Sequence, residues 1–326
     1  MLAIEPINTE LLWTFAGVVF ALSVGSVVRF VALRRSDTEI RSRRLASLRT
    51  WWILTIVFTT SLMLGTPGLC VLFAVASGIA LWEYTRLLGS PRGARAGVIL
   101  VSLIAFAYSC IAFNETTAFA IGTPLLAGFL TIALSLPGGS VDTYIRRAGG
   151  LLLGLGTLVY GLAHVPFLMT IVDASPSRLG PHGWVLYLVI LTESNDIAQA
   201  LVGRRFGVNK RHRITPTISP NKTWEGFIGG AVVTVLLALA LAPWMTSLTQ
   251  TPVSLGSVNI PSPIVAGLLI PVFGFIGDIN MSAVKRDAGV KDSGRLLAGM
   301  GGVIDRVDSL TLTAPAFTYF TWWVLA

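Results

Sequence analysis

Ser282-Ala283-Val284-Lys285-Arg286-Asp287, running on through Lys291-Asp292-Ser293-Gly294 to Gly301-Gly302-Val303-Ile304-Asp305-Arg306-Val307-Asp308-Ser309, is the stretch on which the reading of this chain turns. Residues 278 to 308 hold five carboxylates and five Lys or Arg, in a chain that is 53% apolar and only 12% charged. A soluble domain would carry about 25% charged residues. Charge is costly in lipid and marks an ion path, a proton relay or a ligand site. Signs that alternate at close range, broken by Gly and Ser, suit a ligand that brings both metal and phosphate. The rest of the chain reads as the container for that site.

The container is an all-α polytopic membrane protein. Apolar runs long enough to cross a bilayer recur along the whole length. Ten spans are expected, at 9–33, 51–64, 68–88, 96–113, 117–136, 149–172, 183–203, 226–246, 262–284 and 308–326. The second is short, and its separation from the third rests on Gly65-Thr66-Pro67 turning the chain. If that pair is one bent unit, nine spans remain. With the N-terminus outside, Arg34 to Arg49, Arg86, Arg92, Arg95, Arg146, Arg147, Arg204 to Arg213, Lys222 and the 285–306 segment fall on one side. Of 24 Lys and Arg only Arg178 then faces the other side. That bias follows the positive-inside rule, and it puts the charged cluster, with any catalytic cavity, at the cytoplasmic side of an inner membrane. The net charge of +8 is accounted for by topology and anionic headgroups rather than nucleic acid. Cys70 and Cys110 lie in apolar spans as small buried hydrophobes. Glu5 and Glu10 stand where a signal peptide would be basic, so the first span reads as a retained helix.

The two halves differ. Residues 1–150 are nearly pure Leu, Val, Ala and Phe within their spans and read as a lipid-facing or oligomerisation scaffold, with a homodimer left open. Glu83 is the one acid there that is set at any depth. A Glu one turn from the interface snorkels or pairs with a nearby Arg, here Arg86 at i+3, and it is assigned no role. Residues 151–326 carry the chemistry. Glu193 and Asp196 share a helix face and must meet a cavity, a cation or a base; pairing that merely joins the bundle is the plain alternative. In Ser219-Pro220-Asn221-Lys222-Thr223-Trp224-Glu225-Gly226, Thr223 caps the next helix, and its first amides with Lys222 form a phosphate cradle. Interfacial Lys-Trp pairs are also ordinary anchors. Asp278, Ser282 and Lys285 or Arg286 form one stripe of a helix, and Asp305 and Asp308 share a face on the next. Oxygen ligands from two helices suit Mg²⁺, and the flanking cations suit phosphate. Gly299, Gly301 and Gly302 are expected to let the backbone approach a ligand. His164 reads as a hydrogen-bonder within the bundle, and His182 and His212 as loop residues.

These residues resemble the phosphatidate cytidylyltransferase family, the CDP-diacylglycerol synthases. The family's long signature is matched at Ser282, Lys285, Arg286, Lys291, Asp292, Gly294, Gly299, Gly301, Gly302, Asp305, Arg306 and Asp308. Asn195-Asp196, Gly203-Arg204, Ser219 to Gly226 and Gly277-Asp278 also resemble family motifs, so the match covers roughly residues 190–310. Two positions depart from it: Ala298 stands where the family has Pro, and Met300 where it has His. Met offers no proton and no strong hydrogen bond, so whatever that His does is not done by this side chain.

The resemblance implies transfer of CMP from CTP to phosphatidic acid, giving CDP-diacylglycerol and pyrophosphate. Asp278 and Asp305 would hold Mg²⁺ against the triphosphate, with Asp308 and Asp196 supporting. Lys222, Lys285, Arg286, Lys291 and Arg306 would bind the phosphates, and Asn195, Ser219, Ser282 and Asp292 would complete the substrate site. Other lipid-phosphate acceptors remain open. So does a transporter that uses Glu193, Asp196 and Asp278 as a cation path, although such a path is expected near the midplane with inverted repeats. A lipid-binding relative without catalysis would have Met300 as its only support.

Overall fold

The computed structural model describes residues 9–32, 38–89, 94–137, 141–172, 177–207 and 212–326. Arg34, Arg35, Arg92, Lys210 and Arg211, which contribute to the charge bias, lie outside the described residues. The helices are α1 (Thr9–Ala32), α2 (Thr38–Met63), α3 (Gly65–Leu87), α4 (Ala94–Ala112), α5 (Thr123–Ser135), α6 (Tyr144–Gly154), α7 (Leu162–Ile171), α8 (Gly180–Phe206), α9 (Trp224–Met245), α10 (Ser262–Asp287), the single turn α11 (Ile304–Val307) and α12 (Leu310–Leu325). A π-helical turn, Ala118–Gly122, precedes α5, and another, Leu155–Gly161, joins α6 to α7 into one column. Among the described residues, eight helical columns are long and apolar enough to cross a membrane. With the shorter α4 and α12 they occupy all ten of the expected stretches.

The differences have physical causes. The second span was expected to begin at 51, but α2 starts at Thr38 and carries Arg41, Arg43, Arg44 and Arg49 in its first half, so that the candidate span begins at Arg44. Gly65 takes a φ of +69°, which breaks the chain between α2 and α3, and Pro67 sits in the first turn that follows. The two are therefore separate helices that pack on each other, each long and apolar enough to cross a membrane. The all-α reading needs one amendment. A hairpin of β1 (Arg213–Thr215) and β2 (Ser219–Thr223) leads into α9, and another of β3 (Val253–Leu255) and β4 (Val258–Ile260) precedes α10. Neither strand pattern rises above its polar surroundings in the sequence.

Residues from both sides of position 150 enter one apolar core, in which Leu69 and Phe73 of α3 join Leu162 and Phe167 of α7 and Phe317 of α12. His164 lies in this core with Nδ1 2.7 Å from the Tyr160 carbonyl, as a hydrogen-bonder should. His182, expected in a loop, is instead buried in the first turn of α8. Without a hydrophobic force between helices in lipid, small residues set how near two backbones come. A Cβ on Gly230 of α9 would meet the Gln199 and Asn195 side chains of α8, and one on Gly277 of α10 would meet the Asp308 carbonyl. These approaches bring the ends of α8, α9, α10 and α12 together. Gly230→Leu should therefore lower stability by about 1–3 kcal/mol through overpacking, read as a lower unfolding midpoint in detergent; an unchanged midpoint would contradict the close α8–α9 approach.

Candidate active site

Four helix ends build the site. Thr223 has extended backbone, and its hydroxyl accepts the Gly226 amide at 3.2 Å, so α9 starts there as its sequence indicates. The strand before the cap delivers Lys222 between α8 and α10. Its Nζ stands 2.7 Å from Asp278 Oδ2 and donates to Gln199 Oε1 at 3.2 Å. Asp278 takes the Ser282 hydroxyl on its other oxygen at 3.2 Å, as one helical stripe requires. Burial by itself would push the Lys222 ammonium down, but Asp278, then Asp196 and Asp308, outweigh it and hold the group above the ordinary lysine value. Asp196 accepts the Ser309 hydroxyl at 2.7 Å on one oxygen, and its other oxygen is buried with no hydrogen-bond partner.

A second cluster sits beside the first. Lys285 turns from the stripe to Asp305, with Nζ 2.6 Å from Oδ1. Asp305 Oδ2 accepts the amides of Ser293 and Gly302, each at 3.0 Å, with the Ser293 hydroxyl at 3.1 Å. Burial favours the neutral acid; Lys285 and the two amides overrule it and hold the carboxyl below its usual range. Asp305 and Asp308 thus diverge. Asp305 organises the loop after α10, while Asp308 joins the charges around Lys222.

Glu83 is the residue that sequence reasoning missed. Neither expected fate holds: Arg86 lies over the Trp82 ring, 4.5 Å from its centroid, and Glu83 is only 2% exposed. Its Oε1 accepts the Val303 amide at 3.1 Å, and its Oε2 accepts the Ile304 amide at 3.1 Å and the Ser293 hydroxyl at 2.9 Å. The available signal was an acid set between Trp82 and Tyr84 in an apolar span, which by default is functional. The glycines also read differently. Gly301 has a φ of +88° and faces Asp305 where a Cβ would stand, and a Cβ on Gly302 would collide with Ser293 and Glu83. Their backbone comes close to the protein's own carboxylates, where a ligand was expected.

A cavity of ≈ 1060 Å³ connects these groups to the apolar interior. Its polar end is lined by both lysine–aspartate pairs, Asp196, Asp308, Ser219 and Ser282. Glu193 lines it within range of the Arg306 charge. Lys291 and Asp292 are exposed on its rim, as is Arg286, whose guanidinium donates to the carbonyls of Ile218 and Val290. Met300 is buried in the turn closed by Leu297 and Gly301 and also lines the cavity. Phe15, Trp51, Phe58, Phe73, Leu186 and Ile190 line the apolar end. Asn195 is not among the lining residues. It is fully buried and accepts Gln199 at 3.2 Å and Thr234 at 3.3 Å, so it joins α8 to α9, while its side-chain nitrogen has no hydrogen-bond partner.

The family model described as "Cytidylyltransferase family" matches residues 45–324 of this sequence. The chain belongs to the cytidylyltransferase family. It is thereby a nucleotidyltransferase in kind, and a multi-pass membrane protein. Within the family, the Escherichia coli K12 protein described as "Uncharacterized protein YnbB" is 36% identical over 311 residues, 94% of this chain and 95% of its own. A phosphatidate cytidylyltransferase of Haemophilus influenzae is 37% identical over 141 residues, and one of Brucella suis 43% over 136. Each of these alignments spans only 46% of the named enzyme, and 43% and 42% of this cytidylyltransferase-family chain.

One consequence concerns pH. Because the folded Asp305 carboxyl is depressed, its contribution is complete above the unfolded value and is lost only as pH falls through the folded one. Hydrogen exchange at the Ser293 and Gly302 amides should therefore stay slow down to about pH 4, the ordinary Asp value, and quicken below it. Loosening of both amides above that value would contradict the arrangement.

Proposed function

We propose that this chain transfers CMP from CTP to phosphatidic acid, forming CDP-diacylglycerol and pyrophosphate. The observation that carries the reading is a cavity that joins two lysine–aspartate pairs to an apolar end able to take acyl chains. A soluble nucleotide and a lipid phosphate would meet at its polar end. The positive-inside bias supports reading that end as open to the cytoplasm at an inner membrane, where CTP would reach it. A cation path is disfavoured because a lysine already occupies Asp278.

A lipid phosphate oxygen would attack the α-phosphorus of CTP. One P–O bond forms, the bond from that phosphorus to the bridging β-oxygen breaks, and pyrophosphate leaves with the electron pair. The phosphate is a nucleophile at neutral pH without help, so positioning and charge neutralisation are the protein's main tasks. Lys222 and Lys285 are held ready by carboxylates and would turn toward the incoming phosphates, with Arg286, Lys291 and Arg306 at the rim and wall. Ser219, Ser282 and Asp292 would complete the walls that hold the substrates.

Mg²⁺ fits this site by donor chemistry: all the candidate ligands are oxygens, and one Asp196 oxygen is buried and unpartnered. Among the described residues no three acidic, His or Cys side chains are yet gathered into a ligand set. Asp278 and Asp308 would hold the ion, with Asp196 and Asp305 as further oxygen donors. When bound, the ion would neutralise charge on the triphosphate.

The test is purified protein in mixed micelles with CTP, Mg²⁺ and a panel of lipid phosphates. Pyrophosphate release should require phosphatidic acid and cease with EDTA. Lys222→Met should lower turnover by about 10²–10³-fold. Release supported only by a different lipid phosphate, or indifferent to Lys222→Met, would overturn the proposal.

A further inference from the structure

We infer that Glu83 is a positioning residue for this reaction: reaching from the N-terminal half, it clamps the loop between residues 293 and 304 and so sets where Asp305 and Lys285 stand in the cavity. The inference rests on the cytidylyl-transfer reading above. Glu83 itself does not line the cavity, so it acts through other groups.

The geometry is specific. Both oxygens of a buried carboxylate on α3 are used, one by the Val303 amide and the other by the Ile304 amide and the Ser293 hydroxyl. Ser293 also lies against Asp305, so two carboxylates converge on one hydroxyl that has a single proton to give. Gly294 and Gly302 complete the clamp. A Cβ at either position would collide with the Glu83 carboxylate, which gives a physical reason for glycine at both. Among the described residues Glu83 makes no ion pair, and its charge is met by N–H and O–H donors alone. Those donors belong to the segment that carries the Lys285–Asp305 contact. Removing the carboxylate leaves buried amides unpaired, and the segment should shift or loosen.

Glu83→Gln keeps the size but presents an N–H to one of the amides. Relative to wild type, kcat should fall about ten- to a hundred-fold, as expected when a catalytic group is misplaced by about 1 Å. The KM for CTP should change by less than about threefold, since the phosphate-binding groups are still present. Trypsin should cut several-fold faster at the exposed Lys291 and Arg295. Gly294→Ala, whose added Cβ would collide with the Glu83 carboxylate from the loop side, should reproduce both effects. Introduced into Glu83→Ala, it should add little to the cleavage rate, because the two changes act on one contact.

Wild-type kcat in Glu83→Gln overturns the inference. So does a fall in kcat with unchanged cleavage, and so do additive effects in the double variant. If the wild-type protein transfers no CMP, the transfer reading fails by itself, and the cleavage rates still decide whether Glu83 holds the loop.

Discussion

The two lysine–aspartate pairs at the centre of this site are matched locally, because lipid and packed helices would leave either charge alone at a high cost. A lone buried ion is costly, and an ion pair is tolerated only when its remaining lone pairs and protons are also met. Lys222 on Asp278 and Lys285 on Asp305 meet that condition with further partners from Gln199, Ser282, Ser293 and Gly302. The close packing of α8, α9, α10 and α12 follows from the same need, since the charges are near enough to pair only if glycines let the backbones approach. The loop between α10 and α11 is likewise folded around two carboxylates, with no strand or helix of its own to hold it.

Matching of this kind also prepares the chemistry. A lysine held by an aspartate is charged, desolvated and oriented before any phosphate arrives. Exchanging the carboxylate for phosphate then needs little reorganisation, which is the condition for strong electrostatic stabilisation. The cavity runs from these pairs to the aromatic and aliphatic side chains of α1, α2, α3 and α8. Polar and apolar ends in one space are what a reaction between a nucleotide and a lipid phosphate requires.

Much of this was legible in the sequence. Long apolar runs gave the spans, and the alternating charges of residues 278 to 308 supply much of the polar end of the cavity. Contacts within one helix were also legible: the Asp278–Ser282 pair is an i, i+4 neighbour, and Thr223 caps α9 as its pattern predicts. What periodicity could not supply was which charge faces which across helices. Asp305 and Asp308 share a face by spacing, yet they take different partners, Lys285 for one and the Ser309 amide for the other. Asn195 stands next to Asp196 but points into the α8–α9 joint. Glu83 was set aside because its partners lie more than two hundred residues away, and no local pattern encodes such a contact.

The central claim is that a lipid phosphate attacks the α-phosphorus of CTP at the polar end of this cavity. Two parallel reactions on the purified protein, one with CTP labelled at the α-phosphate and one at the γ-phosphate, test it most directly. The account predicts that the α-label enters the lipid phase while the γ-label stays in water as pyrophosphate. γ-Label in the lipid would mean phosphoryl transfer, and no label in the lipid from either reaction would mean no group transfer to lipid at all. Each of those results would contradict the account.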